Sequence, residues 1–252
     1  MASRLIDPAE GGAVVDIDDL FVRLAVGLGA GDDPRAPIPQ RLCASAAEIL
    51  GCHGGAITMA YTRVERVTLC TTDDTAKILE EAQDVTGQGP GADAFSTGSY
   101  NRLDLLDTGV PDPRWPLLAS GTLTALAPVV VHALPMVHGA HVLGVLTLHQ
   151  RGQHGRVDLD AALAVAEMVG AALLADGPSQ HELGQGPWAE RAEVHQATGM
   201  VVAQLHIGER DALALLRAHA YSHGHSVASS AHAVITRRLV FSSTPGAGIE
   251  ST

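Results

Sequence analysis

The chain has 252 residues, 46% hydrophobic and 17% charged, which suits one large domain or two small ones and excludes global disorder and a collagen-like repeat. Aromatic residues make up only 3%, so the core has to be built from Ala, Val and Leu rather than from stacked rings. The formal charge of −12 is unevenly spread: residues 1–186 hold 11 basic against 23 acidic residues, whereas residues 187–241 hold five arginines against four acids and six of the thirteen histidines.

The second stretch therefore becomes more positive below about pH 6.5, where free imidazole titrates. No apolar run reaches the ~18 to 20 residues of a spanning helix. The start of the chain carries Arg4, Asp7, Glu10 and Asp16 and has no apolar core of a secretion signal, so residues 1–15 read as a disordered lead of a cytoplasmic protein. Cys43, Cys52 and Cys70 are odd in number and lack Cys-x-x-Cys spacing, which leaves them as small hydrophobes in a reducing compartment.

In chain order, Asp16 to Leu28 places Ile17, Leu20, Leu24 and Leu28 on one helical face after an acidic first turn. Gly29 to Pro39 breaks that helix, and Gln40 to Leu50 resumes helical spacing. Gly54 to Ala60 and Val64 to Cys70 read as a hairpin joined at Thr62 and Arg63. Asp73 to Val85 predicts a third helix, after which Gly87, Gly89, Pro90 and Gly91 predict a long loop. A short apolar run at Leu103 to Leu106 follows, then Pro111, Pro113 and Pro116, which bar a central strand or helix interior. Ala125 to Leu134 and His141 to His149 predict two stronger strands around a Val137 to Ala140 turn, and Val157 to Leu174 predicts an Ala, Leu and Val-rich helix.

This succession is an α+β arrangement with an antiparallel sheet flanked by helices. Gly87-Gln-Gly-Pro-Gly-Ala-Asp-Ala-Phe, Asp112-Pro-Arg-Trp-Pro, Leu134-Pro-Met and Val142-Leu-Gly-Val-Leu-Thr-Leu-His resemble the successive signatures of an actinobacterial-type GAF sensor domain over about residues 16–175. The resemblance implies a pocket between sheet and loop, for which Trp115, Phe95 and Met136 are the candidate lining. It implies no particular ligand or cofactor. Gly91 stands where relatives often carry Cys after Gly-Pro, which disfavours an attached bilin, and the full cyclic-nucleotide pattern is missing.

Residues 176–187 have the Gly, Pro, Ser and Gln composition of a linker. Three helical segments follow: Trp188 to Leu205, Glu209 to Ser222 and Val227 to Val240, separated at Gly208 and Gly224. The small polar tail from 242 to 252 reads as flexible. The first of these helices has a short polar face of His195, Gln196, Gly199 and Ala203. Gly inside a helix costs ~1 kcal/mol relative to Ala, so Gly199 implies close approach either of another helix or of a partner.

Arg191-Ala-Glu-Val-His-Gln-Ala-Thr-Gly-Met-Val-Val-Ala-Gln-Leu, then Asp211-Ala-Leu-Ala-Leu-Leu-Arg-Ala-His-Ala, and a third helix ending Arg237-Arg-Leu-Val-Phe resemble an ANTAR domain over about residues 188–241. These are three-helix RNA-binding modules of bacterial transcription antitermination regulators. The resemblance implies recognition of paired stem-loops in a leader transcript, by a homodimer whose GAF domain receives a small-molecule or protein signal. Ala197 and Gly199 match its small-residue positions and Arg217 its basic position on the second helix. Thr198 stands where many relatives have Lys.

RNA loops are read by side chains that bond or stack on base edges while Arg fixes phosphates. Arg191, His195, Gln196, Arg217 and His219 offer such contacts, with Arg237 and Arg238 adding charge. The last two equally suit the dipole at a helix C-terminus. His132, His138 and His141 flank a strand turn with no acidic fourth ligand at fixed spacing, so no metal is expected. Trp115 between prolines reads first as a packing anchor. Phosphate-loop, nucleophile-elbow and His-Glu-x-x-His motifs are absent, and a non-enzymatic regulator is expected. The alternatives are a DNA-binding regulator, against which the third C-terminal helix lacks a basic N-terminal half, and an interaction module without nucleic-acid binding.

Overall fold

The computed structural model describes residues 16–30, 35–60, 66–105, 112–118, 121–152, 156–176, 187–242 and 250–251. The expected lead at 1–15, the Thr62 and Arg63 link, the prolonged loop at 106–111 and residues 177–186 of the linker lie outside them.

Helix α1 (Ile17–Ala30) starts where the Asp16 carboxylate accepts from the backbone N–H groups of Asp18 and Asp19, and it buries only Leu20 and Leu24 fully. Helix α2 (Ile38–Ile49) tolerates Pro39 because the first-turn N–H groups have no helical partner. Strands β1 (Gly54–Ala60) and β2 (Arg66–Thr71) form the expected hairpin. Asp73 then caps α3 (Asp74–Thr86) by accepting from the Ala76 N–H, and Gly87 ends that helix in the left-handed conformation, φ 65°.

The expected loop after Gly87 contains a helix, α4 (Pro90–Thr97). Pro and Gly are breakers inside a helix but suit its first turn, and Gly89, at φ 140°, makes the bend into it. Strand β3 (Asn101–Leu105) follows. Gly121–Leu126 forms a 3-10 turn, so β4 (Val129–His138) begins after Pro128 rather than at Ala125, and β5 (His141–Arg151) runs two residues beyond His149. Helix α5 (Leu159–Asp176) closes this half.

The five strands are antiparallel in the order β2-β1-β5-β4-β3. Helices α1, α2 and α5 cover one face, over Ile57, Leu134, Met136, Leu146 and Leu148. Helices α3 and α4 cover the other, over Val129, Val131, Ala133 and Val145. Because both faces are buried, β4 reads as a continuous apolar run instead of an alternating one. Pro135 is accommodated beyond Ala133, the last residue that β3 pairs, where only β5 flanks the strand.

The C-terminal unit is α6 (Pro187–Leu205), α7 (Glu209–His223) and α8 (Val227–Ile235) around their own apolar core. Helix α8 ends five residues before the expected Val240: Arg237 takes a left-handed φ of 59°, and Leu239–Val240 pairs as β6 with Glu250–Ser251, β7. Residues 243–249 and 252 of the expected tail lie outside the described residues. Helix α6 lies against the edge strand β2, and α7 and α8 lie against α3.

Candidate functional site

Helical periodicity divides α6 sharply. Val194, Ala197, Thr198 and Val201 point into the three-helix core together with Ala212, Leu213 and Leu216 of α7 and Val227, Ala231 and Val234 of α8. Gly224 in the left-handed conformation ends α7, and the Ser226 hydroxyl, accepting from the Ser229 N–H at 3.1 Å, starts α8. The outward face of α6 carries His195, Gln196, Gly199 and Ala203, all exposed. His195 Nδ1 stands 3.7 Å from Glu209 at the start of α7. Among the described residues nothing lies within 4 Å of where a Cβ on Gly199 would sit, so none of the described helices explains that glycine.

The structure separates the ten residues expected to meet RNA into three groups. His195, Gln196, Gly199, Arg237 and Arg238 are exposed, with Arg238 donating to the Thr236 hydroxyl at 3.1 Å. Two expectations are corrected: Ala197 is fully buried, and the Thr198 side chain is buried with its hydroxyl donating to the Val194 carbonyl at 2.7 Å. At 100° per residue both positions fall on the core side with Val194 and Val201, so neither side chain faces a ligand. Helix α8 stops at Ile235 with Thr236 as its C-cap, so Arg237 and Arg238 stand directly past a helix C-terminus, in keeping with the alternative role of complementing its dipole.

The third group, Arg191, Arg217 and His219, is half-buried on the side facing the N-terminal domain. Arg191 and His219 line a cleft of about 1000 Å³ between β2, α3 and the C-terminal helices, where Arg238 also reaches. His219 shares a hydrogen bond with the Ser230 hydroxyl at 3.0 Å and stacks on His223, with centroids 4.1 Å apart. Burial, reinforced by His223 and His225, holds its imidazole below the ordinary value. Arg217 donates from Nε to the Asp84 carbonyl of α3 at 2.8 Å and from Nη2 to the Asp84 carboxylate at 3.3 Å. The sequence carries no signal for this pair, which is 133 residues apart.

The expected GAF pocket trio is not assembled. Trp115 is buried between α3 and β4, its Nε1–H donating to the Asp93 carboxylate at 2.9 Å and Arg114 stacked 4.1 Å from its ring centroid. Phe95 packs beside Ala94, Ala133 and Val145 on that same face. Met136 points to the opposite face, under Gly170 of α5, because three residues along a strand from Ala133 reverses the side.

Two ties fix α3 from inside the N-terminal domain. Glu80 accepts from the Thr58 hydroxyl of β1 and from Gln83 Nε2, each at 2.9 Å; burial pushes its carboxyl up against the opposing pull of the Thr58 bond. Gln83 Oε1 in turn accepts from the Gly91 N–H of α4 at 2.8 Å. Among the described residues no group of three or more His, Cys, Asp or Glu is placed to hold a metal ion, and no helix is long and apolar enough to cross a membrane.

A family model for the GAF domain matches residues 36–173, and one for the ANTAR domain matches residues 188–235. A search of curated proteins gave no match. Among solved structures, a methyl-accepting chemotaxis protein, residues 122 to 287, is similar at 14% identity over 62% of this chain and 97% of that one, with a TM-score of 0.41. GAF domains are sensory and ANTAR domains are RNA-binding antitermination modules, neither being an enzymatic family. With more than half of its length matched by the first model, the chain belongs to the GAF domain family and carries an ANTAR domain after it.

Proposed function

We propose that this chain is a cytoplasmic, signal-responsive regulator of transcription antitermination, in which the GAF domain receives the signal and the ANTAR domain binds paired stem-loops of a leader RNA. The observation that carries the reading is the outward face of α6. His195 and Gln196 offer hydrogen-bonding edges one turn from a glycine that nothing among the described residues packs against. A nucleic-acid backbone or base can approach closely there, and the exposed Arg237 and Arg238 add positive charge to the same three-helix unit. The signal acts by population shift between arrangements of the two domains, and a homodimer presents two ANTAR units to two hairpins so that the second contact is intramolecular.

The test is binding of the full chain to an RNA of two short stem-loops, with a scrambled RNA and duplex DNA as competitors. The paired change His195→Ala and Gln196→Ala is expected to weaken binding by about tenfold or more, in keeping with ~1 to 3 kcal/mol for lost base contacts. Gly199→Ala carries two opposite expectations: it raises thermal stability by ~0.5 to 1 kcal/mol through helix propensity and weakens RNA binding through the added methyl. Unchanged binding in both variants, or preference for duplex DNA, refutes the assignment of this face. Absence of binding to every nucleic acid by the folded chain points to an interaction module instead.

A further inference from the structure

Resting on the RNA-binding reading, we infer that the GAF domain holds the ANTAR domain in check by occupying Arg217: the last turn of α3 is an internal competitor for an arginine that RNA phosphate would otherwise take.

The last turn of α3 is built as a receptor for α7. It offers Arg217 two acceptors, the Asp84 carbonyl and the Asp84 carboxylate. Helix α3 ends at Gly87, and a Cβ there would lie 3.6 Å from Arg217 Nη1, so the guanidinium rests across the glycine cap. Val85, beside Asp84, packs onto the apolar core of the three-helix unit. The carbonyl lies at the negative end of the helix dipole, which adds to the attraction of the carboxylate.

The same donor fork that takes two oxygens of α3 is the one that takes two oxygens of a phosphate. Both cannot be held at once, and with 20% of its side chain exposed Arg217 is out of reach of a polyanion while docked. Helix α3 carries Asp74, Glu80, Glu81 and Asp84 against Lys77, so its presence beside α7 also repels an RNA backbone. The Asp84 carboxylate is 41% exposed, and an ion pair this open to solvent is weak and screened by salt. That weakness suits a contact that has to be exchanged.

The input side of the gate is the neighbouring part of α3 itself. Gln83, next to Asp84, is bonded to Gly91 of α4, and Glu80, one turn earlier, is bonded to Thr58 of the central sheet. An event in the GAF domain that shifts α4 or β1 therefore moves the turn that holds Arg217.

The experiment compares the full chain with Asp84→Asn, Asp84→Lys, Arg217→Ala and the double change Asp84→Asn with Arg217→Ala. Binding to the two-stem-loop RNA is measured across salt, with hydrogen exchange on α3 and α7 as the record of docking. Asp84→Asn, which keeps the carbonyl bond, is expected to raise RNA affinity about two- to fivefold, the range of an exposed ion pair. Asp84→Lys is expected to raise it further. Both steepen the salt dependence by nearly one phosphate contact, and the double change loses both effects. A purely structural Arg217 gives faster exchange in the Asp84 variants with no change in affinity or salt slope, and that result overturns the gate while leaving RNA binding intact. Failure of the wild type and both Asp84 variants to bind RNA overturns the RNA-binding reading and the gate with it.

Discussion

His132 shows how a polar residue survives in the middle of a buried strand. The Tyr100 hydroxyl donates to its Nδ1 at 2.8 Å, its Nε2–H donates to Gln150 Oε1 at 3.1 Å, and Gln150 Nε2 donates onward to the Gly51 carbonyl at 3.0 Å. Both ring nitrogens are used, and the ring is neutral in this arrangement. Burial holds its pKa below the ordinary 6.5, partly offset by the Gln150 bond. A depressed imidazole leaves the unfolded chain with the greater proton uptake once the pH drops. Stability is therefore full above about pH 6.5 and is lost as the pH falls through that value toward the depressed one. The melting temperature is expected to fall more between pH 7.5 and 5.5 for the wild type than for His132→Gln. Equal pH profiles for the two proteins refute this. His149 shares the direction, since burial depresses it against the pull of Asp73, so the variant removes only part of the acid sensitivity. The sequence marks His132 as conspicuous; only its neighbours define its role.

At the scale of elements, the central strands depend on absent side chains as much as on present ones. A Cβ on Gly144 of β5 would stand 2.3 Å from the Thr58 carbonyl and 2.9 Å from the Met59 Cα of β1. The obstacle is backbone, which cannot rotate away as a flexible side chain can. Gly144→Ala is expected to destabilise by ~1 to 3 kcal/mol, the usual cost of overpacking, read as a lower denaturant midpoint with an unchanged slope. A midpoint equal to that of the wild type means the sheet absorbs the methyl. Gly199→Ala is its opposite, because the space around Gly199 is open. The hydrophobic repeat sets the helices with caps well, but α4 escapes it, since a Pro and Gly first turn has the same composition as a loop. The start of β4 shifts for a similar reason: Ala125 and Leu126 are apolar, yet they belong to a 3-10 turn before Pro128.

At the scale of the whole molecule, α1 stands out among the described residues as incompletely covered. It buries Leu20 and Leu24 but leaves Phe21 61% exposed, with Ile17, Val22 and Val26 similarly open. An apolar stripe of this kind on the outside of a domain is the signature of a contact with another surface. The homodimer proposed above is expected to form through α1, which would put equivalent patches together around a two-fold axis. Phe21→Glu is expected to shift the chain to a monomer in sedimentation velocity and to lower RNA affinity by removing the paired presentation of ANTAR units. A wild type that sediments as a monomer at every accessible concentration refutes the dimer.

Most of the helices and strands and the polar face of α6 are written in local patterns: caps, breakers and periods of two or 3.6 residues that neighbouring positions impose on one another. Those patterns specify which residues share a face. They leave open what each face meets. A strand buried on both sides gives no alternation to tell Met136 from Ala133, and helical spacing alone does not say that Thr198 turns inward. The pairing of Arg217 with Asp84 arises only when α7 docks on α3, because attraction between charges depends on distance through space and the chain separates these two by 133 residues.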